Sequence, residues 1–281
     1  MKAQPFQDKA VIVTGASSGI GKALALQLAG AGALQALAAR NADRLEALAA
    51  GCRRLGGDAV AVPTDVGDDV ACRILIEQTV QRYGRIDALI NNAGFGQGAA
   101  LADLPDLTVF KQVMAVNLLG VVHCTYHALP HLKATAGRIA NIASLGGKVA
   151  LPGNSSYSAS KFAVVGFSDA LRMELAGAGV SVTVICPYWV VTEFHEHFMD
   201  AQGRPAGPRG RAIYTGKTMT ADRCAQITLD AAWRRRREVV MWPGPAAAWL
   251  KLLAPGLLDR IILRTILRSA IGRAAQAKAD S

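Results

Sequence analysis

Short, nearly continuous apolar runs alternate along this chain with longer stretches of helical period. The runs fall at 10–14, 34–39, 59–62, 86–91, 137–143 and 180–186, and a seventh follows at 238–242. Helix-length segments lie between them at 19–31, 42–55, 69–83, 108–132 and 157–176, and another at 221–234 precedes the seventh run. Several runs are apolar at nearly every residue, as strands covered on both faces are. Strand–helix alternation with short connections predicts an α/β fold, a parallel sheet with right-handed crossovers and helices on both sides. The expected organisation is one doubly wound domain over 6–244 and an amphipathic tail over 245–281. Residues 189–217 break the pattern with Gly203, Pro205, Gly207, Pro208 and Gly210. An irregular insertion of that length predicts a lid, and its place after the sixth strand puts it at the carboxyl edge of the sheet, where ligands bind in such folds.

Composition narrows the class. Hydrophobic residues make up 51% and charged residues 19%, which excludes a disordered chain. Cys52, Cys72, Cys124, Cys186 and Cys224 are odd in number and lack metal-ligand spacing, against a disulfide scaffold or a zinc framework. The polar first nine residues do not read as a secretory signal, and no uncharged apolar stretch reaches the ~18 residues of a spanning helix. A cytoplasmic protein is the expectation. Net charge is +10, but residues 234–281 hold ten Lys or Arg against three Asp or Glu. The basic character belongs to the tail, which argues against a nucleic-acid partner for the body.

The first strand runs into Thr14-Gly15-Ala16-Ser17-Ser18-Gly19-Ile20-Gly21 and then a helix. Glycines there let the backbone approach a pyrophosphate, and the helix offers free N–H groups and its positive dipole end. The position between first strand and first helix is the context a dinucleotide site requires. The second strand ends in neutral Ala39 and then Arg40. An acidic residue there would accept a free ribose 2′-hydroxyl, whereas a guanidinium pairs a 2′-phosphate, so NADP(H) is favoured over NAD(H). After the third strand comes Thr64-Asp65-Val66. Asp65 reads either as an adenine contact or as a cap of the helix near 69.

Tyr157 and Lys161 stand four apart in a helical segment and share a face. A nearby ammonium favours a phenolate, so the pair suits proton exchange with a carbonyl or alcohol. Ser144 closes the fifth run, where its hydroxyl reads as a substrate contact or a turn cap. Asn91-Asn92-Ala93-Gly94 closes the fourth. Asn117, a poor helix former, lies inside a long helical stretch.

Together, T-G-A-S-S-G-I-G at 14–21, N-N-A-G at 91–94, Asn117, Ser144 and Y-S-A-S-K at 157–161 resemble a classical short-chain dehydrogenase/reductase from about residue 6 to 244. The resemblance implies a seven-stranded Rossmann sheet and a catalytic tetrad of Asn117, Ser144, Tyr157 and Lys161. In it, Tyr157 exchanges the proton, Ser144 positions the substrate oxygen, Lys161 lowers the phenol pKa and holds the nicotinamide ribose, and Asn117 holds a water linking Lys161 to solvent. It also implies cofactor contacts from Gly15, Ser17, Ser18, Gly19, Ile20 and Gly21, from Arg40, Asp65 and Val66, and from Asn92, Ala93 and Gly94. Pro187, Val190 and Thr192 extend that set beyond the sixth strand. Tyr188 departs from the family, which has glycine there; its phenol either reshapes the pocket or points outward. His195 and His197 lack an evident third metal ligand and read as lid or substrate contacts.

In the tail, Arg260, Arg264 and Arg268 form one helical stripe beside mostly apolar positions, with Trp249 nearby. Three readings stay open: docking on the chain's own domain, an oligomer contact, or peripheral contact with an anionic membrane. The family implies a homodimer or homotetramer and a small carbonyl or alcohol substrate. Rival readings are a non-catalytic dinucleotide-sensing scaffold, an NAD-dependent dehydrogenase of a lipid-like alcohol at a membrane, and a sugar-nucleotide enzyme of the extended branch. The last needs a larger carboxyl-terminal domain than this chain supplies.

Overall fold

A computed structural model describes residues 5–207 and 218–265. Seven parallel strands form one sheet: β1 (Ala10–Thr14), β2 (Leu34–Ala39), β3 (Asp58–Pro63), β4 (Ala88–Asn91), β5 (Arg138–Ile142), β6 (Ser181–Cys186) and β7 (Glu238–Val240). Their order is 3-2-1-4-5-6-7. Every residue of β1 and β4 is buried, which is why these runs are mostly apolar, with polar Thr14 and Asn91 only at their carboxyl ends. The order reverses between β1 and β4, and the crevice opens at their carboxyl ends.

Helices cover both faces. On one, α1 (Gly19–Gly30), α2 (Ala42–Arg54) and α7 (Ala221–Trp233) pack Leu24, Leu28, Leu45 and Cys224 with Val11, Val13 and Ile185. On the other, α3 (Asp69–Tyr83), α5 (Gly120–Ala134) and α6 (Ser155–Glu174) pack Leu75, Cys124, Leu132 and Leu171 with Ile12, Leu89 and Val182. Caps fix their starts: Asn41 accepts from the Arg44 N–H at 2.9 Å, and Asp68 accepts from Val70 at 2.8 Å.

The expected helix over 108–132 is α4 (Thr108–Met114), a π turn (Ala115–Leu119) and α5 in sequence. By length and hydropathy Thr108–Ala134 would pass for a membrane span, which the sequence reading did not anticipate. Its apolar stripe Val113, Val121, Cys124, Ala128 and Leu132 is buried, as a core helix requires.

Past β7, α8 (Gly244–Leu253) lies against α6, where Lys251 Nζ sits 4.2 Å from the Phe162 ring and donates to the Lys148 carbonyl at 3.1 Å. Residues 255–265 are again helical and bury Leu258. Arg268 of the basic stripe, and the lid residues 208–217, lie outside the described residues.

Candidate active site

The cleft begins where β1 ends. Gly15 and Gly19 hold φ of +64° and +52°, the left-handed region that favours glycine. A Cβ on Gly21 would lie 2.1 Å from the Gly15 carbonyl oxygen, so the turn is closed by backbone against backbone. The β4 end braces it. Thr14 Oγ1 accepts from the N–H groups of Asn92 and Ala93 at 3.0 and 3.1 Å. Asn92 Nδ2 donates to the carbonyls of Thr14 and Gly15 at 3.0 and 3.2 Å. Asn92 Nδ2 thus braces the turn, and Asn92, Ala93 and Gly94 line the cleft with Ser17, Ser18, Gly19 and Ile20. Ser18 stands at the N-cap of α1 without a side-chain bond to its own helix. The N–H groups of that first turn are therefore left for an anion.

At the end of β2, Ala39 and exposed Arg40 line the cleft, and Arg40 has no hydrogen-bond or ion-pair partner among the described residues. Asp65 and Val66 line it too. Asp65 Oδ1 accepts from the Gly67 N–H at 2.9 Å, and the cap of α3 falls to Asp68. The reading of Asp65 as a helix cap is thereby corrected. Arg44, in the first turn of α2, was not singled out from sequence. It lines the cleft and pairs with Glu193 at 3.1 Å, both side chains being half-exposed.

The proton-transfer end lies at β5 and α6. Ser144 Oγ accepts from the Gly146 N–H at 3.0 Å and lies near enough to the Tyr157 phenol to oppose the rise in its pKa. A Cβ on Gly146 would lie 3.1 Å from the Tyr157 ring and 3.4 Å from Ser144 Oγ, so the two side chains converge beside that glycine. Lys161 is buried, donates to the Ile142 carbonyl at 2.8 Å, and its ammonium sits 5.8 Å from the Tyr157 ring centre. Ser144, Tyr157 and Lys161 share the cleft wall. Asn117 lies behind Gly94, fully buried in the π turn. Its Oδ1 accepts from the Phe95 N–H at 3.0 Å, and its Nδ2 donates to the Phe95 carbonyl at 2.9 Å and to Ser160 Oγ at 3.0 Å. A Cβ on Gly94 would lie 3.0 Å from Asn117 Oδ1 and 3.5 Å from Lys161 Nζ, which places both side chains next to that glycine.

Burial dominates the protonation chemistry. It pushes the Tyr157 phenol up to about 12, with the Ser144 hydrogen bond opposing, and pulls Lys161 down to about 8. The ammonium lowering the phenol, expected from their spacing, does not figure in the balance at Tyr157, which burial sets. Burial also draws His195 down to about 4, so its ring is neutral at physiological pH.

The lid forms the remaining wall. Pro187 accepts from the Leu145 N–H at 2.8 Å, and Val190 is buried in a two-residue parallel pairing with Met219. Thr192 packs against Gly19, where a Cβ would lie 3.2 Å from its side chain. Tyr188 lines the cleft and does not point outward; its ring meets Trp189 edge-on at 6.1 Å. The turn Glu193–His197 and the segment after it carry what sequence reasoning missed. Phe194 and Phe198 stand 5.8 and 5.9 Å from the Tyr157 ring, and His195 stacks on Phe198 at 5.2 Å. Phe198 fits over Gly96, where a Cβ would fall 2.4 Å from its ring. The available signal was the aromatic density of 188–198; irregular sequence gave no register for it. The cleft encloses about 1690 Å³. That exceeds a typical single-ligand pocket of ~300–1,000 Å³, as a dinucleotide plus a substrate requires.

The family model for short chain dehydrogenase matches residues 9–203. An 11-beta-hydroxysteroid dehydrogenase of Pinus massoniana is 34% identical over 263 residues, 91% of this chain and 73% of that protein. An 11-beta-hydroxysteroid dehydrogenase-like 2 of Arabidopsis thaliana, 39% identical, is spanned over 60% of its own length, and an 11-beta-hydroxysteroid dehydrogenase A of Sesamum indicum, 34% identical, over 76%. A short chain dehydrogenase/reductase from Burkholderia phymatum, solved in complex with NAD, is 29% identical with a TM-score of 0.81 over 90% of this chain and 96% of that one. An alcohol dehydrogenase from Thermococcus sibiricus, complexed with 5-hydroxy-NADP, is 26% identical with a TM-score of 0.72 over 84% and 96%.

Proposed function

The chain belongs to the short chain dehydrogenase family, and on that premise we propose that it interconverts a ketone or aldehyde and an alcohol with NADP(H), Tyr157 exchanging the proton. The observation that carries this is the convergence of Ser144 Oγ and the Tyr157 phenol on the wall of a cleft that runs back to the glycine turn. The turn fits a dinucleotide: it has no room for a Cβ at Gly21, and the α1 N-terminus carries no side-chain cap. When bound, the nicotinamide supplies or accepts the hydride. Gly15, Ser17, Ser18, Gly19, Ile20 and Gly21 would cradle the pyrophosphate, Asp65 and Val66 would serve the adenine, and Ala93 and Gly94 the nicotinamide side. Unpartnered Arg40 at the β2 end supports the 2′-phosphate, and hence NADP(H).

Ser144 and Tyr157 together hold the substrate oxygen. Burial keeps the phenol protonated at neutral pH, the form that a proton donor to a carbonyl oxygen requires. Lys161, mostly charged at pH 7, stabilises the phenolate that donation leaves, and Asn117 fixes the Phe95 backbone behind Gly94. The test is consumption of NADPH and NADH by purified protein against ketones, aldehydes and quinones. Turnover with NADPH preferred, lost in Tyr157→Phe while cofactor binding persists, is expected. A Phe variant that keeps near-normal turnover overturns the assignment.

A second reading rests on the outer face of α8 and residues 255–265. Trp249, Leu252, Leu253 and Leu257 are more than half exposed there, beside Lys251, Arg260 and Arg264. That combination supports peripheral contact with an anionic membrane. Flotation with anionic liposomes tests it.

A further inference from the structure

Charge is unevenly placed around the cleft. Arg40, Arg44, Asp65 and Asp68 line its adenosine end, and Lys161 its centre. Among the described residues, no Asp, Glu, Lys or Arg lines the far end, beyond Ser144 and Tyr157. That end is built from Leu151, Trp189, Phe194, Phe198, Met199 and Pro205, and its His195 is neutral. The helix at 255–265 also contributes. Leu258, Ile261, Ile262 and Thr265 follow the i, i+3, i+4, i+7 spacing of one helical face; Leu258 is buried, and the other three line the cleft. The anchorage of α8 on α6 through Lys251 carries this helix to the cleft mouth.

We propose that Ile261 and Ile262 form the outer wall of the substrate compartment, opposite the reacting hydroxyls, and that this chain selects an uncharged carbonyl compound with a large apolar body. The inference rests on the oxidoreductase reading and names its substrate class. A charged substrate would lose its water at this end with no counter-charge among the described residues to replace it. An apolar body gains up to about fourfold in affinity for each methylene it buries. A small ketone reaches Ser144 and Tyr157 but leaves the far end wet.

The test is calorimetric binding of 2-butanone and 2-undecanone to the full chain saturated with oxidised NADP, with the affinity ratio as readout. The unmodified protein should bind 2-undecanone at least roughly tenfold more tightly. The double variant Ile261→Asn, Ile262→Asn should cut that ratio at least about threefold. Ile262→Ala, a milder change that spares the fold, should lower it in the same direction. Equal affinity for the two ketones in the unmodified protein overturns the substrate class. A ratio unchanged in both variants overturns the wall. Turnover of 2-undecanone with NADPH and NADH is followed in parallel. Its absence counts against the oxidoreductase reading alone, since the affinity ratio needs no turnover.

Discussion

The two ends of the cleft are held by different materials. Around the glycine turn, backbone meets backbone, and Thr14, Asn92, Asn91, Asn141 and Ser168 link β1, β4, β5 and α6 through buried and half-buried hydrogen bonds. Around Tyr157 the walls are rings against rings, tied to the frame by a few loop bonds such as Met199 N–H to the Gly96 carbonyl at 2.9 Å. The first construction has one arrangement, because displacing any member leaves a buried polar group unpaired. The second yields, because a ring can change rotamer and keep most of its contacts. A shared cofactor is thus held on the rigid side and a variable substrate on the adaptable one.

A side chain added at a glycine of each end is the sharpest way to break this comparison. Gly21→Val drives side-chain atoms into the Gly15 carbonyl. Cofactor affinity should fall roughly a hundredfold or more, and Tm by about 5 °C or more, read by cofactor fluorescence and thermal unfolding. Near-normal binding would show that the turn has slack. Arg40→Glu tests the same end by charge: apparent affinity for NADPH should fall roughly 10- to 100-fold, and for NADH far less. Equal losses would remove Arg40 from the 2′-phosphate.

The third prediction probes the junction of the two ends. Lys161 is near 8 in the fold against an ordinary 10.5, so the folded protein binds fewer protons between those values, and stability rises as pH climbs through them. Tyr157, near 12 against 10, acts oppositely above pH 10, because the fold keeps a proton the unfolded chain loses. Relative to Lys161→Met, the parent should gain on the order of 2 kcal/mol from pH 8 to 10 in urea titrations. Parallel profiles would mean Lys161 is better solvated than its burial indicates. The smallest effect belongs to Gly96→Ala. Its methyl meets only the Phe198 ring, so Tm should move by about 2 °C or less and KM by only a few-fold. A collapse of stability would put the lid among the rigid elements.

The same contrast explains what the chain's letters disclosed. All seven strands were legible because parallel strands covered on both faces are mostly apolar, with only scattered polar residues such as Gln35, Asn141 and Thr183, and their expected limits lie within two residues of the observed ones. Gly15, Gly19, Gly21, Tyr157 and Lys161 were legible because spacing within one turn or one helix fixes their neighbours, whereas Ser144, on a separate element, came from the family resemblance. Asn117 was placed in a helix but not in a π turn, since that distortion follows from its bonds to Phe95, 22 residues away. Arg44, Phe194 and Phe198 were missed for a related reason. The Arg44 partner lies 149 residues away, and the ring cluster has no period to read.

The uncapped start of α1 carries a cost for anyone seeking a hardier variant. Asp at Ser18 would satisfy the first N–H groups of α1 and strengthen the helix by about 1 kcal/mol. It would also set a permanent negative charge where the diphosphate must rest. Thermal robustness and ligand capture draw on the same few amide hydrogens here, so engineering for heat tolerance belongs elsewhere in the molecule.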